Sequence, residues 1–102
     1  MGLIYVQSRA EFLNYKNFTV TVMYSGSQCP ACVTSKPYFE QMAQKSQGHF
    51  LVVDRTQLQL TDKDIGFTMT AIPTFVKYKK GSPVCPPIVG FDMNRVQQLA
   101  NM

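Results

Sequence analysis

Cys29-Pro30-Ala31-Cys32 places two thiols two residues apart, between a run with strand character and a run with helix character. Thr19 to Tyr24 is β-branched and aromatic with period-two character, which predicts a strand. Downstream, Phe39, Met42 and Ala43 recur at helical spacing among Ser35, Lys36, Glu40 and Gln44, which predicts an amphipathic helix. Cys29 therefore stands at a helix N-terminus, where unpaired N–H groups and the macrodipole favour an anion. A cysteine supplies that anion as its thiolate, the nucleophilic form. Helix N-termini in such motifs lower thiol pKa values from about 8.5 to roughly 3.5–7.5. Cys32, one turn on, is close enough to close a disulfide. Redox exchange and metal binding both use this spacing in a reducing compartment.

The elements that must position this pair fit in one domain, since 102 residues support one modest core. Apolar content of 45% and charged content of 16% are ordinary for a globular chain. No repeat, linker or charge block divides it. Met1 to Val6 has neither a basic region nor a long apolar region, so no secretory signal is expected. No run approaches the ~20 apolar residues of a membrane span. A soluble, cytoplasmic protein is the expectation. Three cysteines are too few and too unevenly spaced for a disulfide framework. The net charge of +4 falls partly on Lys77, Lys79 and Lys80 around a turn at Gly81, read as a solvated strand face and protected edge. A nucleic-acid surface would be broader, with interleaved aromatics, and none is expected.

Ile4 to Val6 predicts a short strand, and Ser8 with Glu11 a capping box opening a helix through about Tyr15. The long helix after the dithiol is expected to end at Gly48. His49 to Asp54 predicts a second core strand, and Asp62 to Phe67 a weak helical turn. Thr74–Tyr78 and Pro87–Val89 flank Gly81 as an antiparallel hairpin. Pro83, Pro86 and Pro87 confine its second arm to an edge, since proline cannot donate to a ladder. Asn94 to Ala100 predicts a closing helix. The order βαβαβαββα implies an α/β fold, a mixed five-stranded sheet flanked by helices on both faces.

That order, with CxxC at the second strand's end, resembles the thioredoxin family over nearly the whole chain. Thr70-Ala71-Ile72-Pro73-Thr74-Phe75 is similar to the family loop whose proline has a cis peptide bond and packs beside the dithiol. The separation of 44 residues between Cys29 and Pro73 also resembles thioredoxins. Pro37 falls where they carry a helix-kinking proline, and Gly90 matches the glycine that lets a substrate chain approach. The resemblance implies a protein disulfide reductase with Cys29 as nucleophile and Cys32 as resolving thiol. It places Gln28, Pro30, Ala31, Ile72, Pro73, Thr74 and Gly90 at the substrate. It further implies a monomer in cell redox homeostasis and electron transport, with no bound cofactor or metal and no membrane or nucleic-acid partner. An NADPH-dependent thioredoxin reductase would recharge it.

Departures from the pattern are specific. Gln28 stands where thioredoxins usually have tryptophan, and Pro30-Ala31 replaces Gly-Pro. Proline after the first cysteine is more similar to glutaredoxins, so a glutathione-linked enzyme is an alternative. Met23 occupies the place of the family's buried aspartate, and Phe50 to Val53 offers no lysine to accompany it. Losing both is coherent, because a buried charge without its partner is costly. Cys32 would then need water or a substrate group to take its proton. A non-catalytic binding module of the same fold is a further alternative, as is metal shared between two chains. Cys85 is expected to be a free edge cysteine, roughly 16 Å of strand from Gly90 at ~3.3 Å per residue. His49 reads as a solvated loop residue and Asp54 as the cap of the turn that follows it.

Overall fold

The computed structural model describes residues 2–102. In chain order the elements are β1 (Gly2–Tyr5), α1 (Arg9–Tyr15), β2 (Val20–Ser25), α2 (Pro30–Lys45) and β3 (His49–Asp54). They continue with α3 (Asp62–Ile65), β4 (Thr74–Lys79), β5 (Ser82–Pro83), β6 (Ile88–Val89) and α4 (Met93–Ala100). The sheet runs β1-β3-β2-β4-β5, with β1, β3 and β2 parallel and β4 antiparallel to β2.

Alternation along the central strands sorts side chains into two cores. Met23, Phe50, Val52 and Phe75 join Phe39 and Met42 of α2 and Val96 and Leu99 of α4. Val22, Tyr24, Leu51, Val53, Val76 and Tyr78 join Phe12 of α1 and Ile65 of α3 on the other face. Successive strand residues point to opposite faces, so a strand buried on both must be apolar throughout. That is why β3 carries the unbroken run Phe50–Val53, and why Thr21 is the one polar residue within Val20–Tyr24 of β2. Met23 is fully buried, with Val52 and Phe75 as its neighbours on the flanking strands.

Three local expectations are revised. The hairpin's second arm is two short pieces, so the sheet has six strands. β5 and β6 share the outer edge of β4, pairing Tyr78 with Pro83 and Thr74 with Val89. The prolines at 83, 86 and 87 remove the donors that a continuous strand would need. Secondly, α2 ends at Ser46, whose extended backbone (φ −112°, ψ 157°) turns the chain out before Gly48. A left-handed glycine cap occurs instead at Gly66, closing α3 with φ 89°. Thirdly, Lys77 is buried: its Nζ donates to Thr21 Oγ1 at 3.2 Å and to Ala100 O at 2.8 Å, the C-terminal end of α4. A cation there meets the negative end of the helix dipole, and desolvation, with Lys79 nearby, lowers its pKa. Cys85 is free, as expected, and lies half-buried against the α2/α4 core between the edge pieces β5 and β6.

The remaining punctuation follows the residues. Lys80 and Gly81 have φ of 55° and 88°, as a two-residue hairpin turn of the primed type demands. Ser8 Oγ accepts the Glu11 amide at 3.1 Å, but the Glu11 carboxylate takes the Gln7 amide at 2.6 Å instead of that of Ser8, so the expected box forms only in part. Thr61 and Asp64 form a complete capping box on α3. Asp64 also receives two bonds from Arg9, at 2.8 and 3.0 Å, and its carbonyl takes one from Lys16 at 2.6 Å. Tyr78 OH donates to Ile65 O at 2.6 Å, leaving Tyr24 OH to donate to Tyr78 at 2.6 Å. These bonds dock α3, and with it the segment leading to Pro73, on the sheet.

Candidate active site

The parallel strands β2 and β3 end side by side at Ser25 and Asp54, and the chain then turns through Gly26–Gln28 into α2. Gln28 is exposed and left-handed (φ 54°), and Cys29 is the helix N-cap with extended backbone (φ −127°). Cys29 Sγ accepts the Cys32 amide at 3.1 Å, filling the role an N-cap oxygen usually takes. Proline at 30 is tolerated because the first helical position has no intrahelical N–H partner to lose.

Cys29 and Cys32 form a disulfide, with Cα atoms 5.2 Å apart, inside the ordinary range for such bonds. Cys29 is 9% exposed and Cys32 only 1%. An incoming group therefore reaches the first sulfur before the second. Pro30 and Ala31 are exposed beside it.

Across from the pair lies the loop before β4. The Ile72–Pro73 peptide is cis, and Ile72 O lies 3.8 Å from Cys29 Sγ. Pro73 O accepts the Gly90 amide at 2.9 Å, which ties the loop after β6 to the same spot. Gly90 has φ 94°, and a side chain there would project into open space. Thr74 is buried, its Oγ1 donating to Ala71 O at 2.6 Å, so it shapes the loop from inside. Of the residues singled out by sequence, Cys29, Pro30, Ala31, Ile72 and Gly90 reach the surface there, and Cys32 and Pro73 are buried behind them. Pro37 lies within α2, leaving Val33 O without its amide.

Two contributors escape sequence reasoning. Gly26 lies against Ile72, and a Cβ on it would come within 2.8 Å of Ile72 Cδ1. In Ser25-Gly26-Ser27 it reads as loop flexibility, and only the tertiary contact shows its use. A cleft of about 430 Å³ beside this contact is lined by Ser25, Asp54, Arg55, Met69 and Ile72, from three separate segments. Asp54 Oδ1 accepts the Gln57 amide at 3.0 Å, which is the turn-capping role expected of it. His49 is exposed at the start of β3.

No protein-family model matches the chain. Thioredoxin H4 of Arabidopsis thaliana is 34% identical over 83 residues, spanning 79% of this chain and 67% of that protein. The chain belongs to the thioredoxin family. Solved thioredoxins share the architecture: that of Plasmodium falciparum superposes with a TM-score of 0.82 at 28% identity, over 99% of this chain and 97% of that one. The reduced Schistosoma mansoni thioredoxin pre-protein gives 0.82 at 26% identity, with the same coverage. With its bonded Cys29–Cys32 pair, this thioredoxin-family chain is a thiol–disulfide oxidoreductase acting on protein disulfides.

Proposed function

We propose that Cys29 is the attacking thiol and Cys32 the resolving thiol of a protein disulfide reductase. The observation that carries this order is the Cys32 amide aimed at Cys29 Sγ at the start of a 16-residue helix. A charge-assisted hydrogen bond and the helix terminus both favour a thiolate at Cys29, and neither reaches Cys32. In the first step the Cys29 thiolate attacks one sulfur of a substrate disulfide, forming a mixed disulfide and releasing the other sulfur as a thiolate. In the second, Cys32 gives up its proton and attacks Cys29 Sγ. The second substrate thiolate leaves, the Cys29–Cys32 bond forms, and two electrons have passed to the substrate.

Met23 cannot accept the Cys32 proton, so water or the departing substrate thiolate takes it. Pro73, Ile72 and Gly90 frame the approach: an extended substrate segment pairs with the backbone at Ile72, which lies beside Cys29. Gln28, Pro30 and Ala31 supply the exposed rim, and Thr74 holds the loop. The chain works as a cytoplasmic monomer in redox homeostasis, its disulfide reduced by an NADPH-dependent thioredoxin reductase.

Reduction of insulin followed with two recharging systems in parallel tests this reading. NADPH with thioredoxin reductase is expected to sustain turnover that Cys29→Ser abolishes. Turnover only with NADPH, glutathione and glutathione reductase would overturn the assigned partner in favour of glutaredoxin-like chemistry.

A further inference from the structure

The flank of the site formed by α2 and the segment after β6 carries an aromatic pair that the exchange chemistry does not use. Tyr38 and Phe91 are 53% and 42% exposed, yet their rings pack on each other with centroids 5.5 Å apart. Tyr38 lies on the helix face that begins inside the dithiol motif, since Ala31, Thr34 and Tyr38 follow at spacings of three and four. Phe91 follows Gly90, whose amide is bonded to Pro73 O. The two rings therefore extend the surface around Cys29 outward from both of its walls. Neither ring belongs to the buried core of that face. Aromatic pairs prefer edge or offset contacts at such distances, and a third apolar side chain gains both area burial and ring contacts by joining them.

We infer that Tyr38 and Phe91 form a specificity shelf for an aromatic or large aliphatic residue beside the reactive cysteine of the substrate. The inference rests on the oxidoreductase reading and names what that site selects. The occupant is a side chain of the substrate polypeptide because the shelf is continuous with the surface a substrate must cover to reach Cys29. An extended segment advances ~3.3 Å per residue, so a residue a few positions from the cysteine reaches the rings.

Two disulfide-bridged peptides that differ only in Phe or Ser three residues from the cysteine test this, together with a small symmetrical disulfide lacking any peptide. The Phe/Ser ratio of kcat/KM, measured within each protein, cancels general losses of activity. The native chain is expected to prefer Phe by roughly five- to tenfold. Phe91→Ala and Tyr38→Ala are each expected to bring the ratio close to one, and Tyr38→Phe to retain it. Turnover of the small disulfide with no preference for Phe, or a preference that survives both alanine variants, overturns the shelf alone. Absence of turnover on all three substrates overturns the oxidoreductase reading and the shelf with it.

Discussion

In the proposed mechanism Cys29 owes its reactivity to one amide and one helix end, with the Ile72 carbonyl held opposite. These groups come from segments more than forty residues apart, so their spacing depends on small side chains at the junction. Gly26 is such a junction, touching Ile72 where a methyl group does not fit without movement. Gly26→Ala is expected to push Ile72 away from Cys29 and lower kcat/KM for peptide disulfides by roughly tenfold or more. Because the obstructing atom is the end of a flexible side chain, the thermal midpoint should move little. A large fall in midpoint with unchanged kcat/KM per folded molecule would show Gly26 to be structural only. At this scale the Cys29–Cys32 pairing, the cis Ile72–Pro73 peptide and the bend at Gly90 were legible in the sequence. Gly26 and the Tyr38–Phe91 pair were not, because their roles exist only as contacts between distant segments.

Among the elements, α3 has four residues and cannot persist on propensity. It is held by the Arg9–Asp64 ion pair, the Thr61 capping box and the Tyr78–Ile65 bond. Bonds from Arg9 and then the Thr61 amide hold the Asp64 carboxyl well below the ordinary carboxylate range, against the opposing effect of desolvation. A depressed folded-state pKa means that the unfolded chain binds more protons in acid. The resulting stability is complete above about pH 4 and is lost as pH falls from there toward the folded-state value. Urea midpoints between pH 2 and pH 7 are expected to fall on the acid side in the native chain and to flatten there in Asp64→Asn. Equal acid slopes in the two proteins would contradict the assignment.

The element order could be read in advance because β2 and β3 are nearly unbroken apolar runs, and because α2 carries Phe39, Met42 and Ala43 at helical spacing. Lys77 could not, since a lysine on a strand reads as solvent-facing until α4 is known to end above it. The split of the last strand was half-visible: the prolines marked an edge without saying where pairing would fail.

For the molecule as a whole, the sheet is covered on both faces, and the dithiol forms the edge of the α2/α4 core, with Cys29 at the surface and Cys32 packed inside. Closing a four-residue loop restricts the unfolded chain by about 2 kcal/mol at most in the entropic account. The reduced form recovers part of this through the thiolate at Cys29. The oxidised protein is therefore expected to be the more stable, by no more than about 2 kcal/mol, in paired urea titrations. A more stable reduced form would mark the dithiol as an oxidant, since stabilising the reduced state raises the potential. Met23 adds to this picture, as it leaves the interior beneath the dithiol without the titrating charge that thioredoxins usually bury.

The central claim is that Cys29 alone attacks substrate, and Cys32→Ser tests it by removing the thiol that resolves the intermediate. Mixed with a peptide disulfide and digested after acid quenching, that variant is expected to carry one peptide, disulfide-linked to Cys29, by mass spectrometry. Linkage to Cys85, or no adduct at all, would contradict the account.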